Sequence, residues 1–135
     1  PQDDRGYYPL VRTVSEKEFN IYKVNQEKYN QKRANQDIKI DQKAVAYYRQ
    51  FLKKTADLNI KTFVIISPTI LKEPNSEEKS LLGQIAKEYK NVTFLDYTSD
   101  TLYNDKYQLF ADEFHLNNLG ADMFSKNLVS IIKEE

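Results

Sequence analysis

The pattern of apolar and polar positions predicts four helices and two strands along this chain. A capping box, Ser15-x-x-Glu18, precedes a thin, partly helical stripe and predicts a helix over about 16–33. Asp41 is typical of a helix N-cap, and the clear apolar stripe after it predicts a second helix over about 41–57. We expect the aromatic residues of this stripe to be core residues rather than a ligand site. The stripe comprises Ala44, Val45, Tyr48, Phe51, Leu52 and Thr55.

Two short apolar runs predict strands. The segment Lys61–Ser67 is rich in β-branched and aromatic residues, and Phe63 to Ile66 is continuously apolar. Such a run is typical of a strand that is buried on both faces, as in a parallel sheet. Pro68 ends it, and Val92–Leu95 predicts a second strand that stops at Asp96.

Two further helices flank the second strand. Asn75-x-x-Glu78 resembles a helix start before one apolar stripe, and a final helix is predicted over about 118–133. Segments that alternate between helix and strand in this way are typical of an α/β domain. The right-handed crossover rule then makes the two strands parallel if they share a sheet.

The candidate chemistry lies between the second strand and the last helix. A polar loop, residues 98–106, leads into Asp112 and the only histidine of the chain, His115. Histidine can take and give protons near neutral pH, and a carboxylate bonded to one ring nitrogen leaves the other free to act as a base. Open parallel sheets bind ligands beyond the carboxyl ends of their strands, which is where this loop is expected.

The string Asp112-x-x-His115-Leu116-Asn117-x-x-Gly120-Ala121 resembles the last conserved block of the SGNH (GDSL-type) hydrolases. These are esterases, lipases, acylhydrolases and carbohydrate deacetylases with a three-layer α/β/α, flavodoxin-like fold. The resemblance implies that His115 is the general base and that Asp112 orients it. The alternative is a helix-capping loop that happens to contain a histidine.

The resemblance covers only the second half of the family fold, from about residue 40, and its specific motif spans about ten residues. We therefore divide the chain into an arm and helix over residues 1–38 and the carboxyl-terminal part of an SGNH-like domain over residues 39–135. That part supplies about two parallel strands of a larger sheet. The chain begins with Pro1 rather than Met, which favours a piece of a longer protein.

The family's serine nucleophile and oxyanion hole belong to Gly-Asp-Ser and Gly-x-Asn-Asp blocks, and none of the three glycines opens either string. The resemblance thus implies that the serine lies outside this chain. Ser67 ends a predicted strand, but Ser67-Pro68 lacks the glycine neighbours of a tight nucleophile elbow. Ser99 reads as a turn residue.

Composition narrows the function classes. The 135 residues suffice for one domain. The formal net charge is zero, so no excess of positive charge indicates binding to nucleic acid or to an anionic membrane. No run approaches a membrane span of about 20 apolar residues. The chain has no cysteine, so it can form neither disulfides nor thiolate metal sites. It has one histidine, so a zinc ion would need carboxylates as most of its ligands, which is unusual. We therefore expect no metal or cofactor. The many Tyr, Lys and Asn residues are typical of an AT-rich bacterial genome and leave the compartment open.

Three hypotheses of function follow. The first is hydrolysis or transfer of the acyl group of a small-molecule or glycan ester, with the missing half or a second copy completing the sheet. The second is a non-catalytic SGNH-like domain that binds a glycan or a protein, which the lack of a serine elbow and the Tyr-rich first third of the chain favour. Tyr7 and Tyr8 are candidate pocket residues, although packing on the domain surface is the role we expect for them. The third is a receiver-type or flavodoxin-like regulatory domain built on Asp96, although three glycines are few for a phosphate or flavin cradle.

Overall fold

The computed structural model describes residues 9–33 and 39–134, so the interpretation of Tyr7 and Tyr8 lies outside the described residues. Within those ranges the chain is mixed α/β, with four helices and a two-stranded parallel sheet in the predicted order. None of these helices has the length and apolarity needed to cross a lipid bilayer. The elements are α1 (Glu16–Arg33), α2 (Gln42–Asp57), β1 (Thr62–Ile66), α3 (Glu77–Ala86), β2 (Val92–Asp96), a 3-10 turn (Tyr107–Leu109) and α4 (Asn118–Glu134).

The starts of α1 and α2 are held by the predicted capping residues. Glu18 accepts the backbone N–H of Ser15 at 2.9 Å, and the Ser15 hydroxyl accepts that of Glu18 at 3.3 Å. Asp41 Oδ1 accepts the backbone N–H groups of Lys43 at 2.9 Å and of Ala44 at 3.2 Å. Each cap satisfies backbone donors that the first helical turn leaves without partners.

The start of α3 differs by one residue from the prediction. Ser76, not Asn75, is the N-cap, because its hydroxyl accepts the backbone N–H of Lys79 at 3.2 Å. The side chain of Asn75 instead donates to the Ser80 hydroxyl at 3.0 Å. Both residue types cap helices well, so the sequence pattern alone does not separate two neighbours of this kind.

The two strands pair in parallel, as predicted, with Thr62 opposite Val92 and Ile66 opposite Asp96. The expectation that β1 is buried on both faces is wrong, because all five of its residues are only half-buried. A pair of strands has two open edges, so a neighbouring strand shields β1 on one side only. Each face is therefore covered in part.

Helix α2 lies beside α3. The Tyr48 hydroxyl donates to the Leu82 carbonyl at 3.4 Å, and the Tyr89 hydroxyl donates to the Arg49 carbonyl at 3.3 Å. The expected core position of Phe51 is wrong, since this side chain is 57% exposed. At about 100° per residue, Phe51 lies about 60° around the helix axis from Tyr48, which contacts α3, and its ring is nevertheless left uncovered. The exposed apolar flank of α2 comprises Tyr47 and Phe51, with Leu58 directly after the helix.

The main apolar cluster lies beyond the strands, among the loops, the start of α1 and α4. Rings contact each other across it, with centroids 5.3 Å apart for Phe19 and Tyr107 and 5.6 Å apart for Tyr103 and Phe124. Helix α1 thus packs on the domain only through part of its thin stripe. The buried members of the cluster are Val14, Phe19, Ile70, Leu71, Tyr103 and Phe110.

Gly120 allows the first turn of α4 to approach the loop before it. A Cβ atom at this position would overlap the Leu109 carbonyl oxygen and would lie 2.9 Å from Leu116 Cδ2. Because the obstacle is backbone, it cannot rotate away as a flexible side chain would. The glycine of the motif therefore fixes the distance between α4 and the loop that carries His115.

We expect Gly120→Ala to lower the free energy of unfolding by about 1–3 kcal/mol, since the added methyl must displace backbone. The matched control is Gly83→Ala in α3, where a Cβ would lie 3.2 Å from Phe94 Cε1, a ring atom that can shift. Its cost is offset by the higher helix propensity of alanine, about 1 kcal/mol. Urea unfolding of both variants measures the difference, and equal losses would contradict the close approach at Gly120.

Candidate active site

The segment that carries Asp112 and His115 folds as a tight hairpin. Phe110 and Leu116 form an isolated antiparallel bridge at its base. The Ala111 N–H donates to the His115 carbonyl at 2.8 Å, which closes the turn. The tip of the hairpin therefore consists of residues 112–115, and its base is held by backbone hydrogen bonds.

The Asp112 carboxylate organises this tip. Its Oδ1 accepts the backbone N–H groups of Phe114 and His115, each at 2.9 Å. The His115 ring lies against the same carboxylate, with Nδ1 2.9 Å from both Oδ1 and Oδ2. An aspartate that bonds to N–H groups two and three residues later is a local turn motif, so the sequence spacing itself brings the two side chains together.

The other ring nitrogen of His115, Nε2, has no hydrogen-bond partner among the described residues, and the side chain is 66% exposed. The Asp112 side chain is 46% exposed. An imidazole with one nitrogen on a carboxylate and the other open to solvent has the arrangement of a general base. The pair can accept a proton at Nε2 and stabilise the resulting imidazolium.

Two neighbouring carboxyl groups at the tip have pKa values that shift in opposite directions. Burial acts to raise the pKa of Asp112, but hydrogen bonds from Phe114 and His115 outweigh it and hold that pKa below its ordinary value. Burial raises the pKa of Glu113, and the negative charges of Asp112 and Glu73 add to the effect. Asp112 is thus kept ionised beside His115, while ionisation of Glu113 is opposed.

The hairpin lies at the carboxyl edge of the sheet. The Ile70 N–H, in the loop after β1, donates to the Glu113 carbonyl at 3.4 Å. The Glu73 N–H in the same loop donates at 3.1 Å to the Thr98 carbonyl, which follows β2. The loops after both strands and the hairpin therefore meet, as parallel strands require of the segments at their carboxyl ends.

Asp96, the acidic residue of the regulatory hypothesis, is engaged in holding the turn after β2. Its Oδ1 accepts the N–H of Thr98 at 2.9 Å and the hydroxyl at 2.7 Å, and Lys79 Nζ lies 3.6 Å from Oδ2. Burial acts to raise the pKa of Asp96, but these bonds from Thr98 and the charge of Lys79 lower it overall. The carboxylate acts here as an anchor for the polar loop.

Neither candidate serine meets the imidazole. Ser67 is exposed at the end of β1, and no hydrogen bond joins it to His115. The Ser99 hydroxyl donates to the Glu73 carbonyl at 3.1 Å, which fits the predicted turn role. Across the described ranges, no group of three or more His, Cys, Asp or Glu residues is placed to hold a metal ion.

The structure adds one residue that no sequence motif marks, Arg12, and gives a structural role to one that the motif includes, Asn117. The guanidinium of Arg12 donates to the Ala111 carbonyl, directly before Asp112. Asn117, which the motif does include, is buried and donates to the Thr13 hydroxyl at 3.2 Å. Its position before α4 is the available sequence signal, because asparagine is a favoured N-cap.

Comparisons of the chain with protein-family models, with characterised proteins and with solved structures each find no match.

We expect the neutral imidazole of His115 to carry its proton on Nδ1, because the Asp112 carboxylate can only accept a hydrogen bond. Because the chain has one histidine, ¹⁵N NMR at about pH 9 reads this tautomer without ambiguity. Asp112→Ala should return the ring to the Nε2–H form that is preferred in water. Asp122→Ala, on α4, removes an exposed carboxylate paired with Lys126 and is the matched control. A native ring protonated on Nε2 would refute the assignment.

Asp112→Asn and Glu113→Gln should change stability in opposite directions at neutral pH. The lowered pKa of Asp112 means that its charge stabilises the fold above the ordinary aspartate pKa of about 4, so Asp112→Asn should cost about 0.5–1 kcal/mol at neutral pH. That cost should vanish as the pH falls through the lowered pKa.

The raised pKa of Glu113 has the opposite sign, because its stabilising effect is complete below the ordinary glutamate pKa of about 4.3 and is lost as the pH rises. Glu113→Gln should therefore stabilise the protein by up to about 0.5 kcal/mol at neutral pH. Urea unfolding between about pH 3 and pH 7 measures both effects. Losses of the same sign in the two variants would contradict the electrostatic description.

Proposed function

We propose that this chain carries the acid–base half of an SGNH-type serine ester hydrolase or acyltransferase. The observation that supports this most strongly is the His115 ring, with Nδ1 on the Asp112 carboxylate and Nε2 open at the carboxyl edge of the sheet. The resemblance of the Asp112-to-Ala121 string to the family's last block gives the same roles to the same residues.

In this proposal His115 Nε2 removes the proton from a serine hydroxyl as its oxygen attacks the ester carbonyl carbon. The protonated ring then gives that proton to the departing alkoxide, which leaves an acyl-serine. Water, deprotonated by the same nitrogen, attacks the acyl-serine and releases the acid, or an acceptor alcohol takes the acyl group. Asp112 keeps the ring oriented and stabilises its positive charge throughout.

The serine would come from a segment that extends the sheet along the outer edge of β1. The Thr62 N–H donates to Asn91 and the Ile66 carbonyl accepts from Tyr97, so these alternate residues face β2. Phe63 and Ile65 direct their backbone groups to the opposite edge, since the pairing of parallel strands alternates. A strand added there would end at the same edge as His115.

The exposed flank of α2 supports this position for the missing segment. Tyr47 and Phe51 of α2, and Leu58 directly after the helix, are exposed, and α2 leads into β1 along the chain. We infer that this flank borders the region into which the sheet would extend beyond β1. A further strand paired with β1 would cover these side chains, and the three-layer SGNH fold requires such strands.

A second candidate is a non-catalytic domain of the same fold that binds a glycan or a protein. The absence of any hydrogen bond from Ser67 to His115, together with the exposed apolar flank of α2, favours it. The two candidates differ in one respect that can be measured. Only the hydrolase has a serine that reacts with an ester or with a fluorophosphonate.

In a protein that contains this chain together with its amino-terminal half, His115→Ala should lower kcat for p-nitrophenyl acetate by at least about a thousandfold. The same variant should lose fluorophosphonate labelling of the serine, since the nucleophile is no longer activated. Asp122→Asn, which changes an exposed ion pair on α4, should leave kcat unchanged. Equal rates for the native protein and His115→Ala would remove the imidazole from the mechanism.

A further inference from the structure

The tip of the hairpin is not held in place by burial. The side chains of His115 and Phe114 are exposed, and that of Asp112 is about half exposed. Packing by surrounding side chains therefore does not hold the imidazole in one orientation. The carboxylate of Asp112 orients the ring relative to the tip. The direction of the tip relative to the sheet is therefore set by the backbone hydrogen bond from Ile70 to Glu113 and by the contacts at the base of the hairpin.

The segment Leu10–Val14, which we call the arm, passes along the base of the hairpin and binds both ends of that base. The Val14 N–H donates to the Phe110 carbonyl at 2.9 Å, before the tip. After the tip, the Asn118 N–H donates to the Leu10 carbonyl at 2.9 Å. Val14 is buried in the apolar cluster, which anchors the arm itself.

Of the contacts that the arm makes with the hairpin, the one from Arg12 lies nearest along the chain to the Asp112–His115 pair. Its Nη1 donates to the carbonyl of Ala111, the residue before Asp112, while Nη2 donates to the Glu18 carboxylate. Glu18 is fixed in turn by the N–H of Ser15 at 2.9 Å and by its hydroxyl at 2.7 Å. A continuous set of hydrogen bonds thus runs from the first turn of α1 to the peptide group that joins Ala111 to Asp112.

We propose that Arg12 is a positioning residue, which fixes the direction of the Asp112–His115 pair by tying the Ala111 carbonyl to the first turn of α1. Its effect on catalysis rests on the proposed function, but its effect on the geometry of the pair does not. The planar fork of a guanidinium reaches two acceptors at once, whereas an ammonium is a single point donor. Lysine should therefore not replace arginine here.

The test uses Arg12→Ala and Arg12→Lys with the matched control Arg49→Ala. Arg49 of α2 also donates to a glutamate in another segment, Glu88 in the turn after α3, at similar exposure but far along the chain from the hairpin. Arg12→Ala should shift the NMR signals of the Phe114 and His115 amides, which bond to Asp112, and speed their hydrogen exchange at least about tenfold. Arg12→Lys should do the same to a smaller extent, and Arg49→Ala should do neither.

Unchanged amide signals and exchange rates in both Arg12 variants would overturn the proposal, as would equal changes in Arg49→Ala. If Arg12→Ala fails to fold, Arg12→Lys decides, because it keeps the charge and the length of the side chain. In a protein with esterase activity, Arg12→Lys should lower kcat about tenfold and leave KM unchanged. A native protein without esterase activity would refute the hydrolase, while the NMR result would still decide whether Arg12 positions the pair.

Discussion

The buried side-chain amide of Asn117 is the interaction on which the arrangement of the site depends. Its Nδ2 donates to the Gln108 carbonyl at 2.8 Å and to the Thr13 hydroxyl at 3.2 Å, while its Oδ1 accepts the Gly120 N–H at 3.0 Å. One amide thereby joins the arm, the 3-10 turn and α4. A buried amide without these partners costs about 1–3 kcal/mol, so the three segments are fixed together in one register.

In the proposed hydrolase, this arrangement would reconcile two opposing requirements. The imidazole would have to be accessible to a substrate, yet its direction would have to be fixed closely for efficient proton transfer. Here the tip that carries His115 is exposed, and the order resides beneath it, in the buried Asn117 and in the backbone bonds at Phe110. The lowered pKa of Asp112 keeps the orienting carboxylate charged despite its partial burial.

The half-buried strands and the exposed flank of α2 have a common physical origin. A parallel sheet is stable when helices cover both of its faces and when its edges are paired. The described part of the chain has one pair of strands, and Tyr47 and Phe51 of α2 are exposed. The proposed completion of the sheet along β1 would supply the pairing and the cover that these features lack.

The sequence by itself determined the features that depend on neighbours a few residues apart. The cap at Asp41, the capping box at Ser15, the order of helices and strands, and the contact of Asp112 with His115 all rest on such spacing. These local hydrogen bonds form within one turn of chain, so the residue types predict them.

Only the tertiary structure decided which distant segments meet. Arg12 and Ala111 are 99 positions apart, and nothing in the local pattern of either residue indicates the other. The exposure of Phe51 is likewise a property of the assembled domain, and the need for a glycine at position 120 follows from the passage of the Leu109 backbone. Hydrophobic burial and close packing are properties of the assembled domain, so periodicity could place Phe51 on an apolar stripe but could not determine what would cover it.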